Sequence, residues 1–208
     1  MFEVSHLLVF VAAVLVLVIV PGPNTMVILS QSLAGKKSLA LATVAGVEVG
    51  TLVHTFVAAA SVGMLLATAP MALTGLQLCG AAYLLIIGIR SLRQNAFDDA
   101  AMRDDGSART AFRRGLIANL VNPKVGVFFL AFIPQFIDPS RGSVFVQFVL
   151  LGAIVSLVGW CIGAVMALGA ASVATSLRRH AGFARWQPRI TGLVLVTVAV
   201  WVGHSALT

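Results

Sequence analysis

Six apolar runs, each free or nearly free of charge, constrain this chain more than any other feature: Leu7–Leu29, Ser38–Thr68, Met71–Ile89, Gly115–Ile137, Val144–Ser176 and Ile190–Thr208. Crossing the hydrocarbon core of a bilayer takes about 20 apolar residues as helix, and each run is long enough. Lipid offers backbone N–H and C=O groups no partner, so a spanning segment must satisfy them internally. Strand barrels alternate apolar and polar residues over short segments, whereas these runs are apolar on all sides. The expectation is an all-α integral membrane protein of six transmembrane helices. With 59% hydrophobic and 10% charged residues, a water-soluble fold could not cover its own apolar surface. Six spans consume most of the 208 residues, which leaves a single transmembrane domain over residues 1–208.

A net charge of +7 would suggest a nucleic-acid partner in a soluble chain, but the charges lie between apolar runs, where they flank membrane. No nucleic acid is expected. Residues 90–114 hold most of the polar content, with six arginines and four aspartates, and read as a cytoplasmic linker between half-repeats at about 1–90 and 112–208. Twelve of the fourteen Lys and Arg residues fall after runs one, three and five; Arg141 lies on the other side and Lys124 within run four. The positive-inside rule then places both termini outside. The first run carries Glu3 and no basic residue before it, so it reads as a retained span rather than a signal peptide. Three spans per half means that the halves are inserted in opposite senses, the 3+3 inverted-repeat plan of secondary transporters.

Prolines interrupt the first run of each half. At Pro21-Gly22-Pro23-Asn24, the two prolines remove the N–H groups that would bond the carbonyls of Leu17 and Ile19. A broken helix at membrane depth is tolerable only against protein or a wet cavity, and half-helix ends suit the charges of a zwitterion. In run four, Pro123 frees the carbonyl of Asn119, and Asn119, Asn122 and Pro123 share one face of a continuous helical wheel, from which Lys124 points away. The candidate substrate-binding or helix-break residues are therefore Pro21, Gly22, Pro23, Asn24, Asn119, Asn122 and Pro123. Ionisable groups inside spans mark substrate, ion or proton paths, which nominates Glu48, His54 and Lys124 for proton coupling. Glu48 is the sole acidic residue in a span and shares a face with Thr51 and Thr55; His54 lies on another, so the two are not a helical pair.

Gly46–Gly50 and Gly159–Gly163 are GxxxG pairs that permit close helix approach, within a protomer or across a homodimer. Cys79 and Cys161 stand alone in apolar runs and are expected to be small buried hydrophobes. A membrane thiol-disulfide electron carrier also uses about six helices and two cysteines, but its thiols must meet beside helix breaks, and these lie far in sequence from every proline. A cation exporter built on Glu48 and His54 is a third reading, weakened by the lack of further carboxylates. No metal site and no cofactor is expected, and the sequence has no P-loop.

Taken in order, these motifs resemble the LysE-type amino-acid exporter family, in particular its threonine and homoserine (RhtB-like) branch. They are Pro-Gly-Pro-Asn at 21–24, Gly46, Gly50 and His54 in GVEVGTLVH, Gly80-Ala81-Ala82-Tyr83-Leu84 with Gly88, and Phe112, Gly115, Asn119, Asn122-Pro123-Lys124 followed by Pro134-Gln135-Phe136. The resemblance implies a secondary exporter, not an enzyme, in the bacterial inner membrane. It would carry an amino acid or derivative such as threonine, homoserine or homoserine lactone outward at the expense of the proton gradient. Many relatives carry Asp in the fifth span, where SLVGWCIGAV from Ser156 to Val165 has none, and often Asp where Thr51 stands. Either Glu48 has taken over the proton role or coupling differs.

Overall fold

A computed structural model describes residues 2–19, 23–93, 106–178 and 181–207, which form helices and short connections, with no strand among them. The helices are α1 (Val4–Ile19), α2 (Pro23–Leu33), α3 (Lys37–Thr68), α4 (Pro70–Arg93), α5 (Ala108–Leu120), α6 (Pro123–Val127), α7 (Val144–Arg178) and α8 (Ala181–Leu207). Between α6 and α7 the chain makes a π-helical turn, Phe128–Phe132, and two 3-10 turns, Ile133–Phe136 and Pro139–Arg141. Helix claims both ends of the charged stretch, through Arg93 and from Ala108.

Among the described residues, three helices are long and apolar enough to cross a membrane: Lys37–Thr68, Met71–Arg93 and Val144–Gly169. Two bent pairs bring the number to five if each counts as one span: His6–Ile19 with Asn24–Leu33, inclined at 56°, and Ala108–Leu120 with Pro123–Phe136, at 50°. Gly192–Leu207 is a shorter apolar helix. Large apolar side chains such as Val57, Met64, Met71, Leu157, Val165, Leu193 and Val200 face outward, as lipid allows and water does not. Cys79 and Cys161 are exposed on this outer surface, which corrects the expectation of burial: against lipid an apolar side chain gains nothing by turning inward.

Glycines set the closest approaches. A Cβ on Gly46 would strike the Phe112 carbonyl and one on Gly115 the Thr43 carbonyl, so α3 and α5 meet backbone to backbone. Gly88 and Gly192 do the same for α4 and α8, and Gly163 accepts Val44 where α7 meets α3. Both GxxxG pairs therefore pack within the chain. Polar ties hold the end of α2: Ser32 Oγ donates to the Ala167 carbonyl at 2.6 Å, and Thr43 Oγ1 donates to Gln31 Oε1 at 2.7 Å. A core of aromatic rings, Phe10, Phe128, Phe129, Phe132 and Phe136, fills the space beneath Trp201.

Candidate functional site

The two bends face one cavity of about 90 Å³, room for several water molecules. α1 and α2 contribute Leu17, Asn24, Thr25 and Ile28; α3 contributes Val44, Glu48 and Thr51; α5 and α6 contribute Asn119, Lys124 and Val125, with Asn122 between them. The π-turn adds Phe128 and Phe129, and α7 adds Val155, Gly159, Ile162 and Met166. Seven polar residues thus converge in an otherwise apolar chamber, the usual composition of a small-molecule site.

Two proline-freed carbonyls, those of Leu17 and Asn119, are met by side chains from elsewhere. Pro21 has no N–H for the Leu17 carbonyl, and Lys124 Nζ donates to that carbonyl at 3.4 Å. Pro123 has none for the Asn119 carbonyl, which accepts from the Asn122 amide at 3.0 Å and from His54 Nε2 at 3.3 Å. That bond requires the tautomer with hydrogen on Nε2, and the ring stacks on Phe129 at 5.9 Å between centroids. Asn122 Oδ1 caps α6 by accepting from the Lys124 amide at 3.1 Å.

Glu48 points at α7, where Ser156 hydrogen-bonds its carboxyl and Gly159 makes room for it. Asn119 Nδ2 donates to Thr51 Oγ1 at 3.3 Å, while Thr51 spends its own hydrogen on the Val47 carbonyl. Among the described residues, three buried side-chain oxygens have no hydrogen-bond partner: Asn24 Oδ1, Glu48 Oε2 and Asn119 Oδ1. All three belong to side chains that line the cavity.

Of the sequence candidates, the cavity gathers Asn24, Asn119, Asn122, Glu48 and Lys124. Pro23 and Pro123 open α2 and α6, His54 sits behind Asn119, and Pro21 and Gly22 lie outside the described residues. Lys124 shares the chamber with the asparagines because the helix stops at Leu120 and restarts at Pro123 in a new direction, which a continuous wheel cannot represent. Thr25, Ser156, Gly159, Phe128 and Phe129 were not singled out as site residues from sequence. Gly159 carried a signal in its GxxxG pair, but its neighbour Glu48 is more than a hundred positions away.

Long apolar helices, paired helix breaks and a polar chamber between them define a multi-pass membrane transporter. The chain belongs to the LysE family: the LysE type translocator profile matches residues 15–206. It is 30% identical over 202 residues to an uncharacterized membrane protein of Pseudomonas aeruginosa, covering 94% of this chain and 91% of the relative. It is 29% identical over 204 residues to a leucine efflux protein of Klebsiella pneumoniae (95% and 94%), and 31% identical over 199 residues to one of Salmonella typhimurium (91% of each). No solved structure matches the chain. It is an amino-acid exporter of this family rather than an enzyme.

Proposed function

We propose that this chain exports a neutral amino acid with an apolar side chain, leucine first among them, across the bacterial inner membrane in exchange for protons. The observation that carries the reading is the meeting of both helix breaks at one chamber holding Glu48, Lys124 and three asparagines. Leu17, Ile28, Val44, Val155, Ile162 and Met166 give that chamber walls suited to a branched aliphatic side chain. Lys124 and the first turn of α2 suit the substrate carboxylate. The names of the leucine efflux relatives support the same choice. Threonine or homoserine is the second reading, favoured by the hydroxyls of Thr25 and Thr51 in the wall.

Architecture completes the proposal: six spans in one domain, a 3+3 inverted repeat of about 1–90 and 112–208, a cytoplasmic linker and both termini outside. In support, interchanging the halves maps the main packing pairs onto one another. α3 packs on α7 and α4 on α8, while α5 packs on α3 as α1 and α2 pack on α7. Such a pseudo-two-fold lets one half rock against the other around a fixed site.

Cells overexpressing the protein should tolerate otherwise toxic loads of leucine-containing dipeptides, and the medium should accumulate leucine faster than with the empty vector. Resistance to threonine or homoserine alone would select the second reading. An absence of resistance across all three, with the protein inserted, would overturn both substrate readings.

A further inference from the structure

The three unpartnered oxygens on residues that line the chamber are all acceptors. Glu48 is 9% exposed and Asn119 2% exposed, so both side chains are withdrawn from the protein surface. Thr51 Oγ1 gives its hydrogen to the Val47 carbonyl and accepts from Asn119 Nδ2, an arrangement that leaves Asn119 Oδ1 without a donor. A buried acceptor without a donor is costly, and an unpaired carboxylate more so, which means that such a set persists where a ligand completes it. An ammonium group brings one positive charge and three N–H donors, the complement of one carboxylate and two amide oxygens.

Resting on the exporter reading, we propose that Asn24, Glu48 and Asn119 form the seat of the substrate's ammonium group, and that the driving proton competes with that ammonium for the Glu48 carboxylate. The proton and the substrate then exclude each other. Facing the cytoplasm, Glu48 releases its proton to water and the ammonium takes its place; facing outward, a proton displaces the substrate. One proton enters per zwitterion exported, so each cycle carries one positive charge inward. Of titratable groups, only Lys124, from α6, lines the chamber with Glu48; α1, α2, α5, α7 and the π-turn present none there among the described residues, and His54 stands behind Asn119. Ser156 supplies the remaining hydrogen bond to the carboxyl.

The test uses the purified full chain in lipid nanodiscs, titrated calorimetrically with L-leucine, with leucinol, which keeps the ammonium and lacks the carboxylate, and with 2-hydroxyisocaproate, which lacks the ammonium. Leucine and leucinol should bind, and the hydroxy acid at least ~100-fold more weakly, because it leaves the buried acceptors unmet. In weak buffer scanned from acid to alkaline pH, leucine binding should release up to about one proton per molecule bound. That release should vanish in Glu48→Gln and persist in Glu48→Asp. Equal binding of leucine and the hydroxy acid, or leucine binding without proton release at any pH, would overturn the proposal while leaving export intact. Saturable sodium binding abolished by Glu48→Gln, with no effect of pH on leucine affinity, would assign the seat to a metal cation instead and equally overturn it. If neither leucine, threonine nor homoserine binds and none is exported by cells, both substrate readings fall and the proposal with them.

Discussion

Gly159 is where residue type bears most directly on the chemistry. A Cβ there would lie 3.0 Å from the Glu48 carboxyl carbon and closer still to Oε1, so any side chain at position 159 would push the carboxyl from its present place. Overpacking of this kind costs about 1–3 kcal/mol and moves the group that is struck. Gly159→Ala should therefore reduce leucine export severely while the protein still inserts. Gly75→Ala is the matched control: no atom lies within 4 Å of its added Cβ, and removing a helical glycine should stabilise by roughly 0.5–1 kcal/mol without loss of export. Paired transport and thermal-melting measurements on the two variants check both, and a fully active Gly159→Ala would show that the carboxyl does not need its present place. The polar inventory of the chamber was legible in the sequence, because Asn24, Glu48, Asn119, Asn122 and Lys124 stand out against apolar neighbours. Their partners were not: the contact of Glu48 with Ser156 and Gly159 joins distant parts of the chain, and no local spacing encodes it.

Among the elements, the bent pairs carry the function and the straight helices frame it. Proline chemistry located the breaks, since Pro23 and Pro123 open α2 and α6; what the sequence could not supply was the 50° change of direction, which turns Lys124 into the same chamber as Asn119. Pro123→Ala would return an N–H to the Asn119 carbonyl and remove the ring clash that bends the helix, an effect worth about 3 kcal/mol in an ordinary helix interior. The variant should melt at the same temperature or higher yet export little, because a straightened element carries Asn122 and Lys124 out of position. Unimpaired export with a raised melting temperature would show the bend to be dispensable. A second element-level contact joins the start of α1 to the turn before α7. Arg141 bonds Glu3 at 2.7 Å and Asp138 at 2.8 Å. The Arg141 hydrogen bond and charge hold the Glu3 carboxyl below its ordinary value, while Ser140 first and Arg141 after it do so for Asp138. Lowered carboxyl pKa values mean that the tie is fully present above the ordinary carboxylate range and is lost as pH falls through the lowered values. Spin labels at residues 9 and 143 should report one narrow distance at neutral pH, broadening only in acid below the ordinary glutamate value of 4.5.

For the whole molecule, the decisive matter is how the halves lie in the bilayer, and the cysteines make it measurable. Both are exposed on the outer apolar surface and neither lines the chamber, so replacing Cys79 and Cys161 with Ala should leave export unchanged. In that background, single cysteines at Lys37, Ser107, Gly142 and Ala206 sample the start of α3, the start of α5, the turn before α7 and the end of α8. With twelve of fourteen Lys and Arg after runs one, three and five, positions 37 and 107 should react with a membrane-impermeant maleimide only after the cells are opened, and positions 142 and 206 in intact cells. The pattern bears on mechanism as well as orientation, because α3 and α7 can be related by a two-fold axis in the membrane plane only if they run in opposite senses through it. Labelling of position 206 from inside alone would leave an odd number of crossings and break the 3+3 plan, even with the chamber unchanged. Loss of export in the cysteine-free parent, at normal abundance, would instead reopen the thiol-disulfide reading, since these side chains would then be doing more than facing lipid.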